Sequence, residues 1–325
     1  MIIIERYSAE RFDEWNSFVA ASKNGTFLFD RRYMDYHSDR FSDYSLMFYD
    51  EKHRLVAVLP ANAEGDVLQS HHGLTYGGLV VGDAFRTVTA LETMEAMNAF
   101  LRREGFRRIV YKPTPWIYHR QPSEEDLYAI FRQGKFNIVG RDISIVVDLS
   151  CPLPFMELRR RHAAKALREG VVVEWSEDFD DFWTVLDDNL MQRYGAHPVH
   201  SVEEIKLLSG RFPENIVLCH ATLNGTTIAG VVLFICGKTV HVQYISASPE
   251  GKRIGAVDAI FSFLISYYSD KKSFFDFGKS TEDMGRYLNE GLIFQKEGFG
   301  GRGVCYDTYE WVAVQNSSAV LSTAV

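Results

Sequence analysis

One order of predicted elements occurs twice along the chain. In the second half, a strand at residues 171–175 precedes two helical segments, three strands, a helix, a strand, a short helix and a last strand. The first half has the same order, from MIIIERY at residues 1–7 to ISIVVDL at residues 143–149, with little residue identity to the second half. Such a repeat is more informative about the fold than any single motif. We therefore predict two domains of one architecture, residues 1–150 and 151–325.

Length and composition agree with this division. A chain of 325 residues accommodates two domains of ~100–200 residues each, and 46% apolar residues allow sizeable cores. The net charge of −8 argues against a protein whose whole surface grips nucleic acid or an anionic membrane, so we expect no DNA partner. The four cysteines are widely spaced and form no CxxC pair, so the sequence suggests neither a disulfide framework nor a zinc site, and free thiols fit a reducing cytoplasm.

The longest uncharged stretch, residues 215–237, could be mistaken for a membrane span. Polar residues interrupt it, and Asn224-Gly225 is a strong hairpin signal. We predict two buried strands there and no integral membrane segment. The first residues, MIIIERYSAERF, meet acid and base after three apolar residues, so we expect no signal peptide and a cytoplasmic location.

Two helices are clearly marked. AVDAIFSFLISYYS, residues 256–269, has apolar residues at the i, i+3, i+4, i+7 spacing of a buried helix. SVEE, residues 201–204, has the capping-box pattern and should begin another helix.

Three stretches carry a family resemblance: RRRHAAKALREG at 159–170, FDFGKS at 275–280 and NEGLIFQKEGFGG at 289–301. Together with the element order, they resemble the GNAT N-acyltransferase fold in tandem, as in the Fem-type aminoacyltransferases of peptidoglycan synthesis and the FemAB-like acetyltransferase domains. The resemblance implies an α/β fold of two GNAT-like domains, each a mixed, mainly antiparallel sheet flanked by helices. It also implies a first domain that is structural or binds the acceptor, and a second domain with the donor site and catalysis.

In such a fold, the loop after the third antiparallel strand holds the pyrophosphate of CoA, because a helix N-terminus offers unpaired N–H groups and a positive dipole end. The resemblance places that loop at SPEGKRIGAV, residues 248–257, where glycines would allow close approach of the phosphates and basic residues would add charge. An ordinary turn is the alternative. The corresponding loop of the first half contains Asp83, which opposes phosphate, so we expect no donor there. The candidate donor-binding residues are Ser248, Gly251, Lys252, Arg253, Gly255 and Ala256.

Amine acylation needs a base and stabilisation of an oxyanion. The motif resemblance makes Lys296 the candidate for oxyanion stabilisation or for gripping an anionic substrate group, the alternative being a solvated charge. Asp276, at a strand end, is a candidate ligand group or a helix-capping aspartate. Strand alternation places His241 on one face, as a candidate base or a histidine bonded within the sheet, and Tyr244 on the other face, as a candidate proton donor to a leaving thiolate.

Candidate acceptor-binding residues lie outside these motifs. Arg193 and His200 occupy the segment between two helices that usually shapes a GNAT acceptor pocket, and Ser280 follows the FDFGK strand. In the first domain, His71 and Tyr76 belong to the unusual SHHGLTYGG segment. No residues have metal-ligand spacing, so we expect no metal.

The sequence therefore predicts an N-acyltransferase with no tightly bound cofactor, acyl-CoA as co-substrate, and a small-molecule amine acceptor such as an amino sugar or a peptidoglycan peptide. The acidic composition and the lack of a long charged coiled-coil arm favour acyl-CoA over charged tRNA. Two alternatives stay open: a tRNA-dependent peptidoglycan aminoacyltransferase and a non-catalytic ligand-binding protein on the same fold. The sequence predicts no particular oligomeric state.

Overall fold

The computed structural model describes residues 1–313. Its contacts divide the chain into two compact units. Among the described residues, unit 1 consists of Met1–Arg141 and residues 307–313, and unit 2 is Asp142–Tyr306. The sequence placed a single division near residue 150, whereas the chain passes between the units twice, each time inside a strand.

Unit 1 is built from a four-stranded antiparallel sheet, a second group of strands and two longer helices. Its elements are β1 (Ile3–Arg6), α1 (Phe12–Ala21), α2 (Arg31–Met34), β2 (Leu46–Tyr49), β3 (Leu55–Leu59), β4 (Asn62–Glu64), β5 (Val67–Gln69), β6 (Val80–Val81), α3 (Thr87–Arg103), β7 (Arg108–Tyr111) and α4 (Glu125–Gln133). The first sheet has the order β1-β2-β3-β6. In the second group β4 pairs antiparallel with β5, and β5 pairs parallel with β7.

The core of unit 1 lies between these strands and α3, whose buried side chains repeat at helical spacing. The apolar pattern of LTYGGLVVG, residues 74–82, and the repeated element order favour a third strand here, but only Val80–Val81 of this segment is a strand. Gly77 and Gly78 explain this. A Cβ on Gly77 would lie 2.0 Å from the Ser70 carbonyl oxygen, and Gly78 has a φ of +79° that favours a turn over a strand.

Unit 2 contains the longer strands. Its elements are β8 (Asn137–Asp148, from Asp142), α5 (Glu157–Arg168), β9 (Val172–Ser176), α6 (Phe179–Tyr194), α7 (Val202–Arg211), β10 (Ile216–Leu223), β11 (Thr226–Cys236), β12 (Thr239–Ala247), α8 (Pro249–Ile254), α9 (Ala256–Tyr268), β13 (Phe274–Lys279), β14 (Thr281–Glu282), β15 (Tyr287–Leu288), α10 (Glu290–Glu297) and β16 (Arg302–Val312, to Tyr306). In the main sheet the order is β8-β13-β12-β11-β10-β9, and only the β12–β13 pair is parallel.

The two faces of this sheet have different roles. One face carries the buried apolar residues of alternate strand positions, such as Leu233, Val242 and Phe275, which pack against α5 and α9. The opposite face packs against α6 and carries the polar residues that form the candidate site. Both units therefore have the predicted mixed, mainly antiparallel sheets flanked by helices.

The local signals of unit 2 are confirmed. The uncharged stretch forms β10 and β11, joined at Asn224 and Gly225, whose φ angles of +51° and +80° suit a two-residue hairpin turn. Ser201 and Glu204 form the capping box at the start of α7. Within residues 1–313, no helix is both long and apolar enough to cross a bilayer.

Candidate active site

The site begins where the parallel ladder between β12 and β13 ends. The last register pair is His241↔Asp276. Immediately beyond it, β12 contains a bulge, because Leu233 lies opposite Val242 while Val232 lies opposite Tyr244. The extra residue shifts the alternation, so His241 and Tyr244 face the same side of the sheet, about 7 Å apart along the strand. The predicted assignment of these two residues to opposite faces is therefore wrong.

Asp276 is the centre of a buried hydrogen-bond network. Its carboxylate is fully buried, and one oxygen, Oδ2, accepts from Nδ1 of His241 and from the hydroxyl of Tyr306, each at 2.7 Å. The other oxygen, Oδ1, accepts from the Ser144 hydroxyl and from the Gly278 N–H. Because an ionised carboxylate only accepts, His241 carries its proton on Nδ1 and would exchange protons with a substrate through Nε2.

Lys296 is buried at the end of α10. Its Nζ donates to the carbonyl oxygens of Gly278, at 2.8 Å, and Lys279, at 2.7 Å. Both carbonyls belong to the end of β13. The ammonium therefore binds β13 at the two residues, Gly278 and Lys279, that follow shortly after Asp276. Burial lowers the pKa of Lys296 to about 8, and the charge of Asp276 opposes part of that shift. The lysine is thus a desolvated cation with one N–H donor beyond those used by the two carbonyls.

The glycines around Lys296 have protein neighbours. A Cβ on Gly300 would lie 2.3 Å from the Leu153 carbonyl oxygen, and one on Gly301 would lie 2.4 Å from Ile145. A Cβ on Gly298 would meet the stem of Arg159 at 3.0 Å. The glycine-dense stretch therefore allows the chain to pass close to α5 and β8, and its composition needs no substrate to account for it.

Tyr244 forms a second polar group on the same face. Its hydroxyl accepts from the backbone N–H of His200 at 3.2 Å and lies 2.5 Å from His200 Nδ1. The indole of Trp183 packs edge-on against the Tyr244 ring and donates to the His200 carbonyl oxygen. Burial raises the pKa of Tyr244 to about 12, so the hydroxyl keeps its proton at neutral pH.

The predicted donor loop is helical. Ser248 caps the short helix α8 by accepting from the Gly251 N–H. A Cβ on Gly251 would meet the Ile228 carbonyl oxygen at 2.3 Å, and one on Gly255 would meet His162 at 2.9 Å, so both glycines are required by packing. Of the cations, Lys252 donates to Asn189 Oδ1, and Arg253 lies near Glu169 and Glu250 at the surface.

A pocket of about 300 Å³ opens at the start of α9. Ala256 is the first residue of this helix, and the N-cap residue, Gly255, has no side chain that could cap it. The residues that line it are Arg159, His162, Gly251, Lys252, Gly255, Val257, Asp258, Gly291, Phe294 and Gln295. Within residues 1–313, Nε of Arg159 is buried without a hydrogen-bond partner. Asp258 opposes an anion, but Arg159 pairs with it at 2.9 Å. A helix start with cations beside it is the kind of setting in which proteins bind phosphate groups.

The other predicted residues have varied settings. Arg193 lies in the last turn of α6, and Ser280 is buried after β13 with no partner for its hydroxyl among the described residues. His71 and Tyr76 belong to unit 1, where both are buried. Burial, chiefly, lowers the pKa of His71 to about 3, and the Tyr76 hydroxyl donates to Thr26. Within residues 1–313, no group of three or more histidine, cysteine or acidic residues is arranged to hold a metal ion.

Sequence reasoning missed four contributors to this region. Ser144 and Tyr306 bind Asp276, and Arg159 and Asp258 line the pocket. Two of them had a usable signal. Ser144 interrupts the apolar run of β8, and Asp258 is an acid in an otherwise apolar helix.

Comparisons with known proteins agree with this description. Residues 157–287 match the model of the acetyltransferase (GNAT) domain family, Acetyltransf_6. A search of curated proteins finds no match. Among solved structures the chain is similar to FemX, with a TM-score of 0.67, 11% identity and coverage of 95% of this chain and 97% of that one.

Two further structures are similar over nearly the whole chain. L-PGS from Bacillus licheniformis has a TM-score of 0.57 and 13% identity, with 94% of this chain and 91% of that one covered. A tandem GNAT protein from the clavulanic acid biosynthesis pathway, solved without AcCoA, has a TM-score of 0.50 and 10% identity, with 97% and 99% covered. At these identities the likeness concerns the fold, and it confirms the predicted tandem GNAT, FemAB-like architecture.

Proposed function

We propose that this protein is an N-acyltransferase that uses acyl-CoA to acylate the amine of a small molecule or cell-envelope precursor. Its match to the GNAT acetyltransferase domain model and its fold, which is that of tandem GNAT proteins, support this proposal. One observation supports this most directly. A buried His241–Asp276 pair and a desolvated lysine, Lys296, converge on the end of β13 inside unit 2. A base and a cation are the two groups that amine acylation requires.

The first step is deprotonation and attack. His241 accepts a proton at Nε2 from the amine while the C–N bond forms. Asp276 accepts from Nδ1 at 2.7 Å, so the imidazole is held in one orientation and the imidazolium that forms is stabilised. The oxyanion of the tetrahedral intermediate is stabilised by the ammonium of Lys296, whose two bonds to backbone carbonyls fix its position.

Collapse of the intermediate breaks the C–S bond and needs a proton for the leaving thiolate. Tyr244 supplies it, because its hydroxyl is protonated at neutral pH and lies on the same face of β12 as His241. His200 Nδ1, 2.5 Å from that hydroxyl, stabilises the tyrosinate and allows it to regain a proton. The proton that His241 took is returned through solvent, which leaves both groups in their starting forms.

The donor would be held by its phosphates at the start of α9. Lys252 and His162 line this pocket, and the pairing of Arg159 with Asp258 offsets the local acid. In this proposal the acyl end extends toward the end of the β12–β13 ladder.

The alternative donor is an aminoacyl-tRNA. The motif at residues 289–301, similar to that of Fem enzymes, favours it, as does the fold likeness to FemX. The chain is also similar in fold to the C-terminal domain of a putative lysylphosphatidylglycerol synthetase from Agrobacterium fabrum, and this likeness suggests aminoacyl transfer in the cell envelope. Binding to charged tRNA would depend steeply on salt, whereas binding of acyl-CoA to one pocket would depend on it weakly.

Calorimetric titration with acetyl-CoA, followed by an assay of thiol release with amino sugars and peptidoglycan peptides, tests the proposal. We expect saturable binding, weakened at least fivefold in Lys252→Ala and unchanged in Lys272→Ala, which removes a half-buried lysine that donates to the Gly237 carbonyl outside the pocket. Lys296→Met should bind acetyl-CoA normally but lose at least tenfold in turnover.

The outcomes separate the three hypotheses. Absence of acetyl-CoA binding together with amide formation from charged tRNA would replace the proposed donor. Thiol release with any amine excludes the non-catalytic alternative. Full turnover in Lys296→Met would contradict the role of the lysine.

A further inference from the structure

We propose that Tyr306 is a positioning residue that tunes the proton affinity of His241 through the one Asp276 oxygen that both side chains share. The inference rests on the proposed role of His241 as base. Tyr306 has no need to touch the substrate for this effect, because it acts through the carboxylate.

The geometry is a three-membered chain of short hydrogen bonds. Oδ2 of Asp276 accepts from the Tyr306 hydroxyl at 2.7 Å and from His241 Nδ1 at 2.7 Å. All three side chains are buried, with Asp276 0% exposed. They come from three separate strands, β12, β13 and β16, so the sheet fixes their spacing without a flexible linker.

The direction of the effect follows from charge. A hydroxyl that donates to a carboxylate oxygen stabilises the negative charge there, and the carboxylate is then a weaker partner for a protonated imidazole. Ser144 and the Gly278 N–H act on the other oxygen, Oδ1, so the Tyr306 bond is the one that competes directly with His241. Without the hydroxyl, the negative charge on Oδ2 is stabilised by His241 alone among these two donors. The carboxylate then stabilises the protonated imidazole more strongly.

Other charged groups in the network set the background. Asp276 on β13 bonds to the imidazole, Tyr306 on β16 bonds to the same carboxylate, and the opposing β11 position is Phe234, which does not titrate. On α10, Lys296 is close enough to interact with Asp276, and its positive charge disfavours the imidazolium. A change at Tyr306 alone leaves Lys296 and its two carbonyl bonds in place.

The test compares Tyr306→Phe with Tyr309→Phe. Tyr309 lies on the same strand, and its hydroxyl donates to Asp307 and not to Asp276. The pH midpoint of the His241 ring signals is measured by NMR on histidine-labelled protein, with His241→Gln for assignment. We expect the midpoint to rise by half a pH unit or more in Tyr306→Phe and to stay within 0.2 units, roughly the reproducibility of such a titration, in Tyr309→Phe.

Kinetics supply the second readout. The acidic limb of kcat/KM should move to higher pH by the same amount, so that kcat/KM well below the midpoint falls about threefold for a half-unit shift, with KM within twofold. A midpoint that does not move in a folded Tyr306→Phe protein, or that moves equally in Tyr309→Phe, overturns the inference. Because the NMR titration needs no substrate, its failure is distinct from failure of the proposed acyltransferase activity.

Discussion

Because Lys296 is buried, the free energy of unfolding should increase between about pH 8 and pH 10.5. The substitution Lys296→Met should remove this pH dependence. Lys296 as a whole residue is 7% exposed, and the pKa of its ammonium is lowered from 10.5 to about 8. In the unfolded chain the lysine keeps its ordinary pKa, so between pH 8 and 10.5 the unfolded state binds more protons than the folded state. Stability therefore rises with pH across that window. Lys296→Met removes the titrating group and retains much of the apolar stem.

The magnitude follows from the shift. A pKa difference of two and a half units between the folded and unfolded states changes the free energy of unfolding by about 3 kcal/mol when the lysine goes from fully protonated to fully deprotonated. Between pH 7 and pH 9.5 the linkage relation gives a gain of about 2 kcal/mol for the wild type. The neutral amine still has two N–H groups for the carbonyls of Gly278 and Lys279, so deprotonation removes the buried charge without leaving those oxygens unpaired.

Urea unfolding at pH 7 and pH 9.5 measures this directly. The increase in unfolding free energy between the two values should be about 2 kcal/mol larger in the wild type than in Lys296→Met. Lys272→Met is the matched control, since it removes a less buried lysine that also donates to a backbone carbonyl, and it should behave as the wild type. Parallel pH dependences in the wild type and Lys296→Met would refute the claim that the folded protein buries a charged lysine.

Three further predictions concern other parts of the molecule. If Lys296 stabilises the oxyanion as a cation, kcat should fall as pH rises through about 8, and pH–rate profiles would show a basic limb there that Lys296→Met lacks. In unit 1, burial raises the pKa of Asp126 to about 6, so the contribution of this carboxyl to stability is greatest below pH 3.8 and is lost as pH rises through 6. Denaturation at pH 4 and pH 7 should show that this loss, about 2 kcal/mol, is missing in Asp126→Asn. Gly300→Ala adds a clash with a backbone oxygen at 2.3 Å to the strain of its φ of +84°, whereas Gly237→Ala adds strain without a neighbour within 4 Å; thermal unfolding should find the first variant about 1–3 kcal/mol less stable than the second.

The strongest local patterns were sufficient to predict the elements of unit 2. The i, i+3, i+4, i+7 spacing in residues 256–269 became α9, and the Asn224-Gly225 signal became the turn between β10 and β11. These predictions succeed because the helix period and the hairpin turn are properties of neighbouring residues. The same reasoning failed at Tyr244, since a bulge in β12 is created by pairing with β11 and reverses the facing of every residue beyond it.

The candidate site was only partly accessible from sequence. Lys296, His241 and Asp276 were singled out separately, by motif resemblance and strand alternation. Their connection to Ser144 and Tyr306 was not, because those partners are 132 and 30 residues from Asp276 along the chain. The packing role of the glycines near Lys296 was not accessible either, since the atoms that require them belong to Leu153 and Ile145.

By itself, the sequence determined the repeated order of elements, the mainly antiparallel sheets and the apolar faces that build them, because hydrophobic periodicity and turn chemistry are encoded locally. The tertiary structure alone decided which polar residues share one carboxylate, which end of β13 holds a desolvated lysine, and which helix end opens onto a pocket. Those features depend on burial and on distances between segments far apart in the chain, and burial is what turns an ordinary lysine into one with a pKa of about 8.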